Sequence, residues 1–100
     1  MKTSITENGE NLTVKLVGDL DTAAAQEVEK EFQPLMTKKD KKITLDCTDL
    51  NYISSSGLRL FLSLLKSCAP NGNTLVIENL NDNIKKVFSM TGFSSLFNIK

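Results

Sequence analysis

Three consecutive serines, Ser54–Ser56, stand directly before Gly57 and a long apolar segment. A serine at the start of a helix can cap it, because its side-chain oxygen accepts a hydrogen bond from a backbone N–H two or three residues further on. One serine is enough for this, so two more hydroxyl groups remain at the same helix entrance. The free N–H groups and the dipole of a helix start also favour an added negative charge. The run therefore fits a cap alone, a phosphorylation acceptor or a small-anion site.

Two charged residues are candidates to work with these serines. Asp21 follows the second predicted strand. Either Asp21 or Thr22 can cap the next helix, and this capping role alone would explain an aspartate at position 21. Arg59 is predicted to lie one turn into the helix that the serines begin, on its polar face. From there it can contact a carboxylate of a partner or a phosphate on Ser55 or Ser56.

The chain contains no histidine, which limits the catalytic chemistry that its side chains can perform. The commonest general base and the commonest neutral metal ligand are therefore missing. Its two cysteines, Cys47 and Cys68, form neither a metal-binding spacing nor a disulfide framework, and we expect reduced, partly buried thiols. The composition predicts a binding module rather than an enzyme, with no metal and no cofactor.

Length and charge set further limits. The chain has 100 residues, 40% of them apolar, and its 12 basic residues balance 12 acidic ones. This predicts a single domain over residues 1–100 with one core. Zero net charge offers no electrostatic footprint for nucleic acid or for an anionic membrane. No apolar run is long enough to span a bilayer, and the first eight residues are too polar for a signal peptide. We expect a cytoplasmic protein without direct nucleic-acid contact or membrane insertion.

The first half of the chain reads as a hairpin, a helix and a strand. Asn8-Gly9 precedes an alternating apolar run and predicts a type I′ turn. The stripe Ala24, Val28, Phe32 and Leu35 predicts a helix that Pro34 should end or kink. Alternation over Ile43–Cys47 predicts a short strand.

The second half alternates helices and strands. The apolar run that starts at Leu58 predicts a helix ending before Pro70, and Leu75–Ile77 predicts a strand covered on both faces. A third helix capped by Asn81 or Asp82 follows, then an apolar tail that must dock on the body or on a partner. The pattern indicates an α/β fold: a mixed sheet of about four to five strands with helices packed against it. The predicted core includes Leu58, Phe61, Leu62, Leu65, Leu75, Ile77, Val87 and Phe88.

Three segments together resemble one protein family. They are Gly18-Asp19-Leu20-Asp21, Tyr52–Arg59 and the closing run Ile84–Phe97, with its apolar helix, Thr-Gly and apolar pair. In this order they are similar to the STAS domain, and within it to the bacterial anti-sigma factor antagonists. The resemblance covers essentially the whole chain without insertions.

The resemblance implies a partner switch. The unphosphorylated antagonist would bind an anti-sigma factor that is also a serine kinase, and so free a sigma factor. Phosphorylation of a serine at the second helix start would end the binding. The family pattern places the acceptor at Ser55 rather than Ser56 or Ser54, and Ser54 stands where many members carry an acidic residue. The predicted partner-binding set is Asp21, Ser54, Ser55, Ser56, Gly57 and Arg59; Arg59 is included for its place on the polar face of the helix, not through the resemblance. We expect a monomer or weak dimer.

Gly57 carries a separate expectation. A side chain there would crowd whatever approaches the serines, so Gly57→Val should weaken partner binding more than folding.

Two other functions stay open on the sequence. One is an accessory STAS subunit of a lipid or anion transport system, which would act through constitutive contacts without phosphorylation. The other is a small-molecule or nucleotide binder at the helix start, although Gly57 alone is no glycine-rich phosphate loop.

Overall fold

The computed structural model describes residues 1–100 as five strands and three helices. In chain order they are β1 (Lys2–Asn8), β2 (Asn11–Leu20), α1 (Thr22–Met36), β3 (Lys42–Ile53), α2 (Ser55–Asn71), β4 (Thr74–Glu78), α3 (Asp82–Met90) and β5 (Asn98–Ile99). A short 3₁₀ turn, Phe93–Ser95, lies between α3 and β5. The five strands form one sheet in chain order; β1 is antiparallel to β2 and the other neighbours are parallel. The predicted α/β fold with a mixed sheet is confirmed.

Only one face of this sheet is covered. In β2 the residues Leu12, Val14 and Leu16 are fully buried, whereas the residues between them are exposed. Right-handed connections between successive parallel strands place every helix on the same side of a sheet whose order runs in one direction. Val76, in the middle of β4, is therefore half-exposed on the open face, and the prediction that this strand is covered on both faces was wrong.

The core lies between the covered face and the three helices. Phe61 of α2, Phe88 of α3 and Phe97 near the C-terminus form a chain of ring contacts, with centroids 6.3 Å and 5.7 Å apart. Of the eight predicted core positions, five are buried, and Leu62, Leu65 and Val87 are partly buried against the cluster. The buried Phe97 and the pairing of β5 with β4 show that the apolar tail docks on the chain's own body.

Both cysteines are free, as the composition predicted, and both are buried rather than partly buried. Burial raises the pKa of the Cys47 thiol to about 12, so this side chain stays protonated at neutral pH and packs as a small apolar group.

Two helix boundaries differ from the prediction. Helix α1 continues for two residues past Pro34, and α2 contains Pro70 in its last turn. A proline in the last turn removes only one hydrogen bond of a helix that is already ending, so neither proline stops its helix. Helix α2 instead ends at Gly72, which has a left-handed φ of 70°. None of the helices combines the length and apolarity needed to cross a lipid bilayer.

The first turn and the third strand also differ. Only Gly9 has a positive φ in the β1–β2 turn, where Asn8 pairs with Asn11. This is the pattern of a type II′ turn rather than type I′. Strand β3 is not short: it continues to Ile53, because β2 runs beside it as far as Leu20 through two register irregularities.

Candidate functional site

The serine run lies where two parallel strands end side by side. Leu20, the last residue of β2, pairs with Ile53, the last residue of β3. The backbone N–H of Ser54 donates to the carbonyl of Leu20 at 2.9 Å. Strand β4 ends opposite Asp46, well before this point. Helices α1 and α2 therefore start next to each other at the carboxyl ends of β2 and β3, which extend beyond the end of β4.

Each of these two helices has a side-chain cap. The carboxylate Oδ1 of Asp21 accepts from the backbone N–H of Ala24 at 2.8 Å and caps α1. The hydroxyl Oγ of Ser54 accepts from the backbone N–H of Gly57 at 3.1 Å and caps α2. Ser54 is buried, so the cap role among the three serines belongs to it, and its hydroxyl is committed to that bond.

The other two serine hydroxyls differ in what surrounds them. Ser56 is half-buried, and its Oγ accepts from the guanidinium Nη2 of Arg59 at 3.4 Å. Ser55 is exposed, and its hydroxyl makes no hydrogen bond with the rest of the chain. Ser55 is thus the one member of the run that is both accessible and unengaged.

Arg59 projects into a groove between α1 and α2. The groove has a volume of about 240 Å³, and its walls are Thr22, Ala25, Gln26 and Glu29 from α1 and Ser56, Arg59, Leu60 and Ser63 from α2. Arg59 is the only arginine of the chain. No carboxylate lies within 4 Å of its guanidinium, so this cation has no ion-pair partner in the groove.

Asp21 lines a different recess, on the side of α1 that faces the chain's first residue. That recess, of about 500 Å³, is formed by Met1, Gly18, Asp19, Asp21, Ala23, Ala24, Glu27 and Asn51. It carries three carboxylates. The structure therefore divides the predicted partner-binding residues between an acidic recess that contains Asp21 and a groove that contains Arg59, with the serine run at α2's start.

Several lining residues were not predicted to belong to a site. The helical spacing places Ser63 on the same polar face as Arg59, as the sequence indicates, but no role was predicted for it. Gln26 and Glu29 belong to α1, and no local signal shows that this face of α1 packs beside α2. Asp19 and Glu27 likewise come together only through the folding of β2 into α1.

Gly57 points inward, which corrects the expectation for it. It is buried, and a Cβ placed on it would lie 2.8 Å from Cγ1 of Ile53 and 2.9 Å from Cγ and Cδ2 of Leu20. The glycine lets α2 start against the ends of β2 and β3. The expectation that a side chain here would mainly obstruct an approaching partner was wrong, because the added atoms would meet the core first.

Gly57→Ala is therefore expected to destabilise the fold by roughly 1–3 kcal/mol through overpacking, although alanine is the better helix former. Urea unfolding followed by circular dichroism measures the loss. Ser63→Ala, at an exposed position of the same helix, is the matched control and should stay within about 0.5 kcal/mol. A Gly57→Ala protein as stable as the parent would show that Leu20 and Ile53 can shift to admit the methyl group without loss of stability.

Comparison with known proteins adds to this geometry. The sequence profile of the STAS domain matches residues 2–100. The chain is 34% identical over 82 residues to BtrV from Bordetella bronchiseptica, covering 82% of this chain and 71% of BtrV. It is 30% identical over 86 residues to the anti-sigma-B factor antagonist of Staphylococcus aureus, covering 86% of this chain and 80% of that protein.

Solved structures share the fold. SpoIIAA, an anti-sigma factor antagonist described as a Bacillus cell fate determinant, has a TM-score of 0.76 against this chain in both its unphosphorylated and its phosphorylated form. The two forms are 17% and 18% identical to this chain, cover 99% of it and are themselves covered to 87% and 91%. At this level of identity the likeness shows the fold.

Proposed function

Because this chain belongs to the STAS domain family, and within it to the anti-sigma factor antagonists, we propose that phosphorylation of Ser55 controls its binding to an anti-sigma factor. The unphosphorylated chain binds the anti-sigma factor and so frees a sigma factor. The anti-sigma factor is also a serine kinase that phosphorylates Ser55, after which the antagonist dissociates. An antagonist of this kind is a regulator that acts by binding, and it is not an enzyme.

The observation that supports Ser55 most strongly is the difference among the three serine hydroxyls. Ser54 is buried and bonded to the backbone of Gly57, Ser56 is half-buried and bonded to Arg59, and Ser55 is exposed and unbonded. A kinase must bring the acceptor oxygen within reach of a transferable phosphoryl group, which favours the exposed hydroxyl. The place of Ser55 within the family motif points to the same residue.

The fold can accept a phosphate at this position. Ser55 is the first residue of α2, whose free N–H groups and positive dipole end favour an anion. The first turn of α2 contains no acidic residue that would repel it. A phosphoserine carries a charge of about −1.5 to −2 at neutral pH. Its cost falls on the interface, where a partner surface shaped for a neutral hydroxyl would have to desolvate that charge.

The proposed partner surface is the edge at which α1 and α2 start. It includes the exposed Asp21, Ser55 and Arg59 together with the half-buried Ser56. Ser54 and Gly57, which are buried, contribute by fixing the start of α2 rather than by contacting the partner.

Since sigma factors act on bacterial transcription, the proposal places the protein in the cytoplasm. The named antagonist among its relatives favours this function over the transport-subunit alternative.

A release experiment tests the proposal. A complex of the anti-sigma factor from the same organism with its sigma factor is immobilised through the anti-sigma factor, and the unphosphorylated chain is added. We expect sigma factor in the eluate and the chain on the resin. Phe61→Ala, destabilised in the core, serves as the control for a partly unfolded chain. Retention of all the sigma factor, with no chain bound, would contradict the proposed function.

A further inference from the structure

We propose that Arg59 captures the phosphate on Ser55 and leaves the groove between α1 and α2 when it does so. The inference rests on the proposed phosphorylation of Ser55 and specifies how the modified site rearranges. Phosphorylation would then change two parts of the surface together: it adds an anion at the start of α2 and withdraws the cation from the groove.

The spacing of the two residues allows the contact. Ser55 and Arg59 are four residues apart in α2, which is continuous from Ser55 to Asn71. Side chains at this spacing are neighbours on a helix surface, with Cβ atoms about 5–6 Å apart. The order is also favourable, because an anion that precedes a cation by four residues agrees with the helix dipole. A guanidinium can present two N–H groups to one phosphate.

Arg59 would lose only one weak interaction by leaving the groove. Its contact with the Oγ of Ser56 spans 3.4 Å, at the long end of hydrogen-bond distances. It forms no ion pair, although Glu29 of α1 lines the same groove. A dianionic phosphate attracts the guanidinium more strongly than the neutral serine hydroxyl does.

No other cation of α2 competes for this phosphate. The only other basic residue of the helix is Lys66, about three turns beyond Ser55. On the neighbouring helix, Glu29 lines the groove and Asp21 caps the start of α1, and both are acidic. The one cation of α1, Lys30, does not line the groove. Glu29 and Asp21 would repel the phosphate, whereas Arg59 is the only cation that lines the groove.

Withdrawal of Arg59 would change the character of the groove. The polar residues that stay behind are Thr22, Gln26, Ser56 and Ser63, with Glu29 as the only charge. A partner that places a carboxylate in the groove beside Arg59 would lose its counter-ion and face Glu29 instead. The proposed switch therefore acts over a wider surface than the single modified hydroxyl.

The test uses full-length protein with phosphoserine installed at position 55 by genetic encoding, so that no kinase is needed. A ³¹P NMR pH titration gives the second pKa of the phosphate. A neighbouring cation favours the dianion, so we expect this pKa to lie roughly half a unit lower in the parent than in Arg59→Gln. Arg59→Lys should recover part of the shift, and Lys66→Gln, the control on the same helix, should match the parent.

A second readout follows the groove. Amide signals of Gln26 and Glu29 should shift on phosphorylation in the parent and stay in place in Arg59→Gln. Equal phosphate pKa values in the parent and Arg59→Gln would overturn the inference. That failure is separable from failure of the proposed function, because the installed phosphate reports on Arg59 whichever serine a kinase selects.

Discussion

Replacing Phe61 with alanine is expected to lower the free energy of unfolding by about 3–5 kcal/mol, a large share of the stability of a domain this size. Phe61 is fully buried on the inner face of α2. Its ring contacts Phe88 of α3, which in turn contacts Phe97 near the C-terminus. The substitution would leave a cavity where two helices and the C-terminal segment meet the sheet, and the surrounding rings cannot close it fully.

Urea unfolding monitored by circular dichroism measures this loss. Leu62→Ala is the matched control, because Leu62 is the next residue of the same helix and only partly buried. It should lose clearly less stability than Phe61→Ala. Similar losses for the two variants would show that the chain of phenylalanine rings is not the centre of the core.

The second large effect is expected at Ser55. Ser55→Asp should weaken binding to the anti-sigma factor by about 100-fold or more, which corresponds to about 2.7 kcal/mol. The aspartate places a negative charge where, in the proposed interface, the partner meets a neutral hydroxyl, and that charge must be desolvated or repelled. Isothermal titration calorimetry with the purified anti-sigma factor measures the affinity.

Three controls separate the charge from other effects. Ser55→Asp should unfold at a urea concentration no lower than that of the parent, since a negative charge at the start of α2 is favourable to the helix. Ser55→Ala should bind as the parent does but resist phosphorylation. Ser56→Ala should bind and remain a substrate of the kinase. Tight binding by Ser55→Asp would remove the electrostatic basis of the switch.

Local rules predicted most of the elements. Asp21 and Asn81 cap α1 and α3 as their positions suggested, accepting from Ala24 and Ile84, because capping depends on only three or four adjacent residues. The alternation in β2 identified its buried face for a similar reason. The full length of β3 was not predictable in this way, since its last residues are held by pairing with a distant part of β2.

The features of the candidate site also differ in whether they depend on adjacent residues or on distant ones. The serine run marked the start of α2, and the need for one cap could be inferred, but its assignment to Ser54 required the packed strand ends. The inward orientation of Gly57 depends on Leu20, which is 37 positions earlier in the chain. The groove around Arg59 exists only because α1 packs beside α2. These features arise from long-range contacts, for which the sequence carries no local signal.

The central claim is that Ser55 is the phosphorylation site that ends partner binding. The most direct measurement incubates the chain with the kinase anti-sigma factor and ATP, locates the phosphate by tandem mass spectrometry and measures the affinity of the isolated phosphorylated form. We predict a single phosphate on Ser55 and an affinity at least as low as that of Ser55→Asp. A phosphate on Ser54 or Ser56, or a phosphorylated form that still binds as the parent does, would contradict it.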